Sequence, residues 1–324
     1  MQNVREYAYG QNIAVTGATG YIGSALIKKL SGQSSKLLAV GRSKPSFGAD
    51  INFLQADIRN SDTWSDITKW ADVIFHLAGN TSALVADNDP AESLRSTVLP
   101  VAHLVRAASE YGRRPRVVFA STATVYGLTT DKSVDEAHPT NPITAYDLHK
   151  LFAEQQLAMA TELGIIDAVS LRLANVYGPS ASASFARDRG VLNKVVETAL
   201  RGEDVAVYGG GHYLRDYVYI DDVIAVFECA GLMSNTPAGA FNVASGVSVS
   251  VRRAFERAAS IVELHLGRSV RIANVPWPCD VRPIETRGFV ANIEKTAAIY
   301  GWVPQVSLDS GIRKLIEHFD ARKG

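Results

Sequence analysis

Tyr146 and Lys150 stand four residues apart inside TAYDLHKLFAEQ, a strongly helical pattern. Residues at that spacing share one face of a helix, so a phenol and an ammonium can meet at one point. A neighbouring ammonium favours phenolate, which would lower the tyrosine from its ordinary pKa toward neutrality and make Tyr146 a usable general acid or base. With 12 tyrosines in the chain such a pair can arise by accident, so its weight comes from its position. Shortly before it lies Ala120-Ser121-Thr122-Ala123-Thr124-Val125-Tyr126-Gly127, at the end of an apolar run. Thr122 could donate to a substrate oxygen beside Tyr146, while Ser121 and Thr124 read equally well as hydroxyls satisfying local backbone. Proton transfer of this kind accompanies redox at a carbinol or carbonyl carbon.

A second constellation lies near the start. Thr16-Gly17-Ala18-Thr19-Gly20-Tyr21-Ile22-Gly23-Ser24 follows the first apolar run and opens a helix. Gly17 permits a tight turn, Gly20 lets backbone approach a pyrophosphate and Gly23 lets helix pack on strand. The helix start offers free N–H groups to phosphates, with Thr19, Tyr21 and Ile22 in the same loop. The second run ends in Gly41-Arg42-Ser43 without a carboxylate. A carboxylate there would accept from a ribose 2′-hydroxyl and repel a 2′-phosphate, whereas Arg42 can pair with that phosphate. NADP(H) is therefore the expected dinucleotide, with NAD(H) the alternative. Asp57-Ile58 follows the third run, where a carboxylate could accept from the adenine amino group. His76-Leu77-Ala78-Gly79 ends the fourth, where small residues admit backbone to the dinucleotide.

These groups need a frame, and the chain supplies one. Short apolar runs at 12–15, 36–40, 51–55, 72–77, 116–120 and 167–173 alternate with helical patterns at 21–30, 91–111 and 145–163. Continuous apolar strands separated by helices imply a parallel sheet covered on both faces, and the uneven spacing favours a doubly wound α/β (Rossmann) sheet over a barrel. After Tyr177 the rhythm changes to a Ser/Ala stretch, a helix near 191–201, Gly209-Gly210-Gly211 and the rigid Pro276-Trp277-Pro278. The expected division is a dinucleotide-binding domain over 1–176, with returns near 217–245 and 287–299, and a smaller interleaved substrate region over 177–324 (about 177–216, 246–286 and 300–324). Strands at 217–220 and 240–243 are expected to rejoin the main sheet.

Composition narrows the classes. The 324 residues carry 33 Lys+Arg against 33 Asp+Glu, a balance that argues against nucleic-acid binding. Apolar residues at 47% exclude wholesale disorder. Cys229 and Cys279 lack any Cys-x-x-Cys spacing, so neither a disulfide framework nor a thiolate metal site is expected. No membrane-length apolar stretch or signal peptide is legible, and a cytoplasmic location is the expectation.

TGATGYIGS, HLAG, STATVYG and Tyr146-x-x-x-Lys150 together resemble the extended short-chain dehydrogenase/reductase family. LRLANVYGP (171–179), RDYVYIDDV (215–223), FNVASG (241–246) and YGWVP (300–304) extend the resemblance over nearly the whole chain. It implies a nucleotide-activated sugar as substrate, with Asn175, Arg215 and Arg282 reaching its diphosphate, and a homodimer built from the helices near 91–111 and 145–163. Family dehydratases and decarboxylases carry a carboxylate one or two places after the residue matching Thr122, where this chain has Ala123 and Thr124. The 4-epimerases usually have the second-strand Asp that Gly41 replaces, and Thr97 stands where an Asn is usual. TAYDLHKLFAEQ, Asp188-Arg189-Gly190-Val191 and ETRGFV (285–290) look more like NDP-4-keto-6-deoxyhexose 4-ketoreductases. The leading expectation is thus reduction of such a 4-keto sugar by NADPH, with Tyr146 as proton donor, Lys150 tuning it and holding the nicotinamide ribose, and Thr122 orienting the oxygen. A nucleotide-sugar 4-epimerase retaining NAD is the alternative, and a non-catalytic dinucleotide sensor the second.

Overall fold

A computed structural model describes residues 10–32, 36–43, 51–129, 133–181, 190–277, 281 and 283–322. Among these, seven parallel strands form the main sheet: β1 (Asn12–Thr16), β2 (Lys36–Gly41), β3 (Asn52–Gln55), β4 (Val73–His76), β5 (Arg116–Thr122), β6 (Asp167–Leu173) and, late in the chain, Gly239–Val243. From one edge the order is Gly239–Val243, β6, β5, β4, β1, β2, β3. Every pairing is parallel. The chain therefore winds one way from β1 to β3, then crosses back to place β4 on the other side of β1. Ligands of open α/β sheets bind in the crevice that such a reversal opens beyond the strand ends.

Alternation along each strand fills both faces. Ile13 and Val15 of β1 enter one apolar core, while Ala14 enters another with Val40, Ile74, Val117 and Phe119. Helix α1 (Tyr21–Leu30) packs its Leu26, Ile27 and Leu30 into the first core. Helices α2 (Ser61–Trp70), α5 (Leu99–Tyr111) and α6 (Ala145–Glu162) cover the second, through Trp64, Leu104 and Leu157 among others. Between α2 and α5 lie the short α3 (Ala83–Asn88) and α4 (Pro90–Thr97).

Two sequence expectations need correcting. The helix expected over 91–111 is two helices, α4 and α5, separated at Val98. Pro100 has no N–H to give the carbonyl one turn back, and its ring crowds that carbonyl, so the helix cannot run through. The segment 217–220 does not rejoin the main sheet. Following β7 (Asn175–Tyr177), α7 (Val191–Arg201) and β8 (Val205–Tyr208), strand β9 (Leu214–Tyr219) pairs parallel with β7. After α8 (Ile220–Leu232), β10 (Gly239–Val243) joins the main sheet beside β6, as expected. Strand β11 (Ser248–Ser250) then pairs antiparallel with β9 to complete a separate three-stranded sheet. Helix α9 (Val251–Leu266), β12 (Ile272–Val275, paired with β8), α10 (Pro283–Thr286), α11 (Glu294–Tyr300) and α12 (Leu308–Asp320) finish the described chain. Among the described residues no helix is long and apolar enough to cross a membrane.

Candidate active site

A cleft of about 780 Å³ runs along the carboxyl ends of β1, β2, β4 and β5. One end is lined by Gly17, Thr19, Gly20, Tyr21, Ile22 and Gly23, with Arg42, Asp57, Ile58, Leu77, Ala78 and Gly79 around it. Thr122, Tyr146 and Lys150 line the other end, together with Ala174 and Val176. Its size suits a dinucleotide with a small reactant. A second hollow of about 880 Å³, between Lys28, Ser180 and Ile220, contains none of these groups.

The glycine loop is shaped to take a pyrophosphate. Gly17 takes φ +69°, and a Cβ there would lie 2.7 Å from the Ala78 nitrogen. The loop therefore sits against the end of β4, with the start of α1 open behind it. The Asp57 carboxylate is gripped by Arg59, whose Nε donates to both its oxygens at 3.0 Å and whose Nη1 reaches Glu92 at 2.8 Å. Those bonds to Arg59 hold Asp57 below the ordinary carboxylate range. Arg42 is exposed at the rim, and its carbonyl accepts from Gln55. His76 is buried with Nδ1 2.8 Å from Thr16 Oγ1; burial, then the charge of Lys150, drives its pKa down to about 3, so it stays neutral.

The catalytic end is assembled by one close approach. Gly127, at φ +71°, lies so near Asn141 that a Cβ would overlap the Asn141 carbonyl oxygen, and Asn141 N–H donates to Val125 at 3.0 Å. This pins the loop after β5 to the entry of α6. Thr144 caps that helix by accepting from the Asp147 N–H at 3.2 Å, which places Tyr146 in the first turn and Lys150 one turn later. Tyr146 and Thr122 line the same end of the cleft, and Thr122 is close enough to act on the ionisation of the phenol. Ser121 instead turns away and donates to Glu154, which is also paired with Arg172 at 2.7 Å. Of the three hydroxyls in the loop, Thr122 is thus the one at Tyr146.

Lys150 is buried, donates to the Ala120 carbonyl at 2.8 Å and lies 4.7 Å from the centre of the Phe119 ring. Desolvation lowers its pKa to about 8. The sequence leads one to expect this ammonium to pull Tyr146 toward neutrality; in the chain by itself burial outweighs that pull. Burial pushes Tyr146 up to about 12; the Thr122 side chain opposes it, the Asp147 charge adds to it and Arg287 opposes it. Thr97, at the family's Asn position, is buried with an unpartnered hydroxyl.

The residues expected at a diphosphate fare differently. Arg282 lies outside the described residues, as do Asp188 and Arg189. Asn175 on β7 donates its amide to the Asp216 carbonyl at 3.1 Å. Arg215 donates to the carbonyls of Leu214, Arg287 and Glu285 and stacks over Tyr213, so it braces the 285–287 segment. That segment carries a residue the sequence reading passed over within ETRGFV. Arg287 has Nε and Nη1 buried without a partner, and desolvation together with Arg215 lowers its pKa to about 10. Nothing in its spacing marks it; only the fold brings it into the electrostatic reach of Tyr146 and Asp147.

Residues 13–244 match the model of the NAD dependent epimerase/dehydratase family. The chain belongs to that family. A UDP-glucose 4-epimerase of Mycolicibacterium smegmatis is 32% identical over 320 residues, covering 94% of this chain and 97% of that protein. The crystal structure of a UDP-glucose 4-epimerase from Thermotoga maritima with UDP-glucose superposes with a TM-score of 0.85 at 26% identity, over 97% of this chain and 100% of that one. A Thermus thermophilus UDP-glucose 4-epimerase in complex with NAD gives a TM-score of 0.82 at 27% identity, over 95% and 99% of the two chains. This family member is thus an enzyme of the extended short-chain dehydrogenase/reductase type.

Proposed function

We propose that this enzyme oxidises and reduces C4 of a UDP-type nucleotide sugar, and that its net reaction is 4-epimerisation. The observation that carries the reading is the convergence of Tyr146, Thr122 and Lys150 at the end of the dinucleotide cleft, with Arg287 in electrostatic reach of Tyr146. The relatives acting at C4 support the choice of carbon and favour epimerisation over the one-way reduction expected from sequence.

When bound, a nicotinamide dinucleotide supplies the hydride acceptor and donor. The chain's own residues do the rest. The glycine loop would hold its pyrophosphate at the start of α1. Lys150, 3.7 Å from the Cβ position of Gly79, is placed to hold the ribose beside the β4 end. Arg42, with no carboxylate beside it at the β2 end, supports acceptance of NADP(H) as well as NAD(H). Arg287 has two buried donors to offer a sugar diphosphate, a pairing that would relieve its desolvation. Tyr146 would take the proton from the C4 hydroxyl as the carbonyl forms and give it back when the carbonyl is reduced. The exposed apolar side chains Leu94 on α4 and Leu148, Phe152 and Met159 on α6 support a homodimer through these helices.

The test is interconversion of UDP-glucose and UDP-galactose by purified protein supplied with NAD. Tyr146→Phe should lower kcat by about 10²–10⁴-fold while leaving the fold intact. NADPH oxidation with a dTDP-4-keto-6-deoxyhexose, without any epimerisation, would return the reading to a 4-ketoreductase.

A further inference from the structure

Asp147 follows Tyr146 directly and is fully buried. Its Oδ1 accepts the hydroxyl of Thr124, and its Oδ2 has no hydrogen-bond partner. Thr124 Oγ1 is in turn 2.9 Å from Thr122 Oγ1, and Thr122 lines the cleft together with Tyr146. Three groups therefore form one chain that runs from Thr122, in the cleft with the phenol, to a carboxylate that the strand-end motif lacks at Ala123 and Thr124.

Each hydroxyl has one proton, and that fixes the direction. Thr124 gives its proton to the carboxylate, so its oxygen must accept from Thr122. Thr122 has then spent its own proton and can only accept, as it does from the Thr124 N–H at 3.2 Å. Thr122 cannot donate to a substrate oxygen in this state, contrary to the role expected from sequence. When the carboxylate takes up a proton, every O–H can turn round: Asp147 donates to Thr124, Thr124 to Thr122, and Thr122 toward Tyr146 or the sugar oxygen.

We propose that Asp147 is a positioning residue whose proton state sets the direction of this chain, so that Thr122 accepts a hydrogen bond at the reacting oxygen in one half-reaction and donates one in the other, while Tyr146 alone transfers the proton. The inference rests on Tyr146 being the proton-transfer group of the proposed function. Burial raises Asp147 above the ordinary carboxylate range, against the hydroxyls of Thr124 and Thr144 and the charge of Arg287. The ionisable side chains around it are Tyr146 on its own helix and Arg287 from the 283–290 segment. From α3, Asp87 accepts the Ala145 N–H at the same helix start. A diphosphate neutralising Arg287 would raise Asp147 further, favouring the hydrogen-bond-donating state of Thr122 when substrate is bound.

The experiment replaces Tyr146 by 3,5-difluorotyrosine, whose phenol ionises well below tyrosine, and follows its titration by fluorine NMR in the full chain. Asp147→Asn removes the charge and should lower the midpoint by ~1 unit or more. Thr124→Val keeps the carboxylate but frees Thr122 to donate to the phenolate, so it should also lower the midpoint, whereas Thr124→Ser should leave it in place. An unmoved midpoint in Asp147→Asn overturns the proposal. So does a shift in Asp147→Asn without one in Thr124→Val, which would mean the charge acts through space alone. Because no substrate is used, absence of turnover with nucleotide sugars would count against the proposed function and leave this titration to decide the chain.

Discussion

Gly23→Ala puts the cofactor reading under the most direct strain. An added Cβ would lie 2.1 Å from the Gly17 carbonyl oxygen, 2.8 Å from its carbon and 3.1 Å from Ala18 Cα. All three are main-chain atoms, so no rotamer change relieves the overlap. Gly17 cannot simply retreat, because it lies against the main chain of Ala78. Ordinary contact needs a separation of roughly 1 Å more, taken up by lifting the first turn of α1 or by distorting the loop. Overpacking of that size costs ~1–3 kcal/mol of stability, a drop in Tm of roughly 2–6 °C for a chain of this length. The larger effect falls on the ligand. Moving the N–H donors by about 1 Å takes them beyond hydrogen-bond distance of a pyrophosphate. Loss of even one or two charge-assisted bonds amounts to ~3 kcal/mol, about a hundredfold in Kd. Isothermal titration of NAD and NADP into wild type and variant reads this directly. Gly20→Ala, whose Cβ meets a single atom at 3.0 Å, serves as the milder comparison. Dinucleotide binding by Gly23→Ala within threefold of wild type would refute the argument that this helix must approach the loop so closely.

Other outcomes follow from single sites. Gly41 has room for a Cβ, which would meet the Phe53 ring and the Thr19 hydroxyl at an ordinary 3.7 Å, so Gly41→Asp should fold normally and shift the NAD to NADP preference at least ~100-fold toward NAD; an unchanged ratio of dissociation constants would exclude Arg42 and Gly41 as selectors. Burial depresses Lys150 to about 8 in the folded chain, below its unfolded value, so the protonated lysine is a penalty at neutral pH that fades as pH rises above about 8 toward the ordinary lysine range. Lys150→Met should therefore stabilise the unliganded protein at pH 7 by ~1–3 kcal/mol while abolishing turnover, and a lowered Tm would contradict this. Phe152→Asp, on the exposed face of α6, should leave the monomer folded and convert a dimer to monomer by light scattering; a monomeric wild type would remove the proposed interface.

Much of the architecture was legible because its signals are local. Buried parallel strands must be apolar along their length, so the six runs before Tyr177 coincide with β1 to β6 to within a residue or two. Turn chemistry marked the glycine loop, and helical periodicity put Tyr146 and Lys150 on one face of α6. Pro100 was equally visible in sequence, and its local break of the helix at Val98 was overlooked. Strand β9 was different: its short Tyr-Val-Tyr run is that of any buried strand, and only the partners available in space, β7 and β11, assign it to the second sheet.

What the sequence determined by itself is the inventory and its order: a dinucleotide loop after the first strand, a hydroxyl cluster after the fifth, and a phenol and an amine one turn apart. The tertiary structure decided which of these groups act on one another. Lys150 donates to Ala120 and lies over Phe119, Ser121 turns to Glu154, Arg215 braces a backbone, and Arg287 joins Asp147 as a charge near the phenol. The reason is physical. Hydrogen bonds and charges act over a few ångströms, and residues 122 and 287 come within that range of Tyr146 only when strand end, helix start and a distant loop close around it.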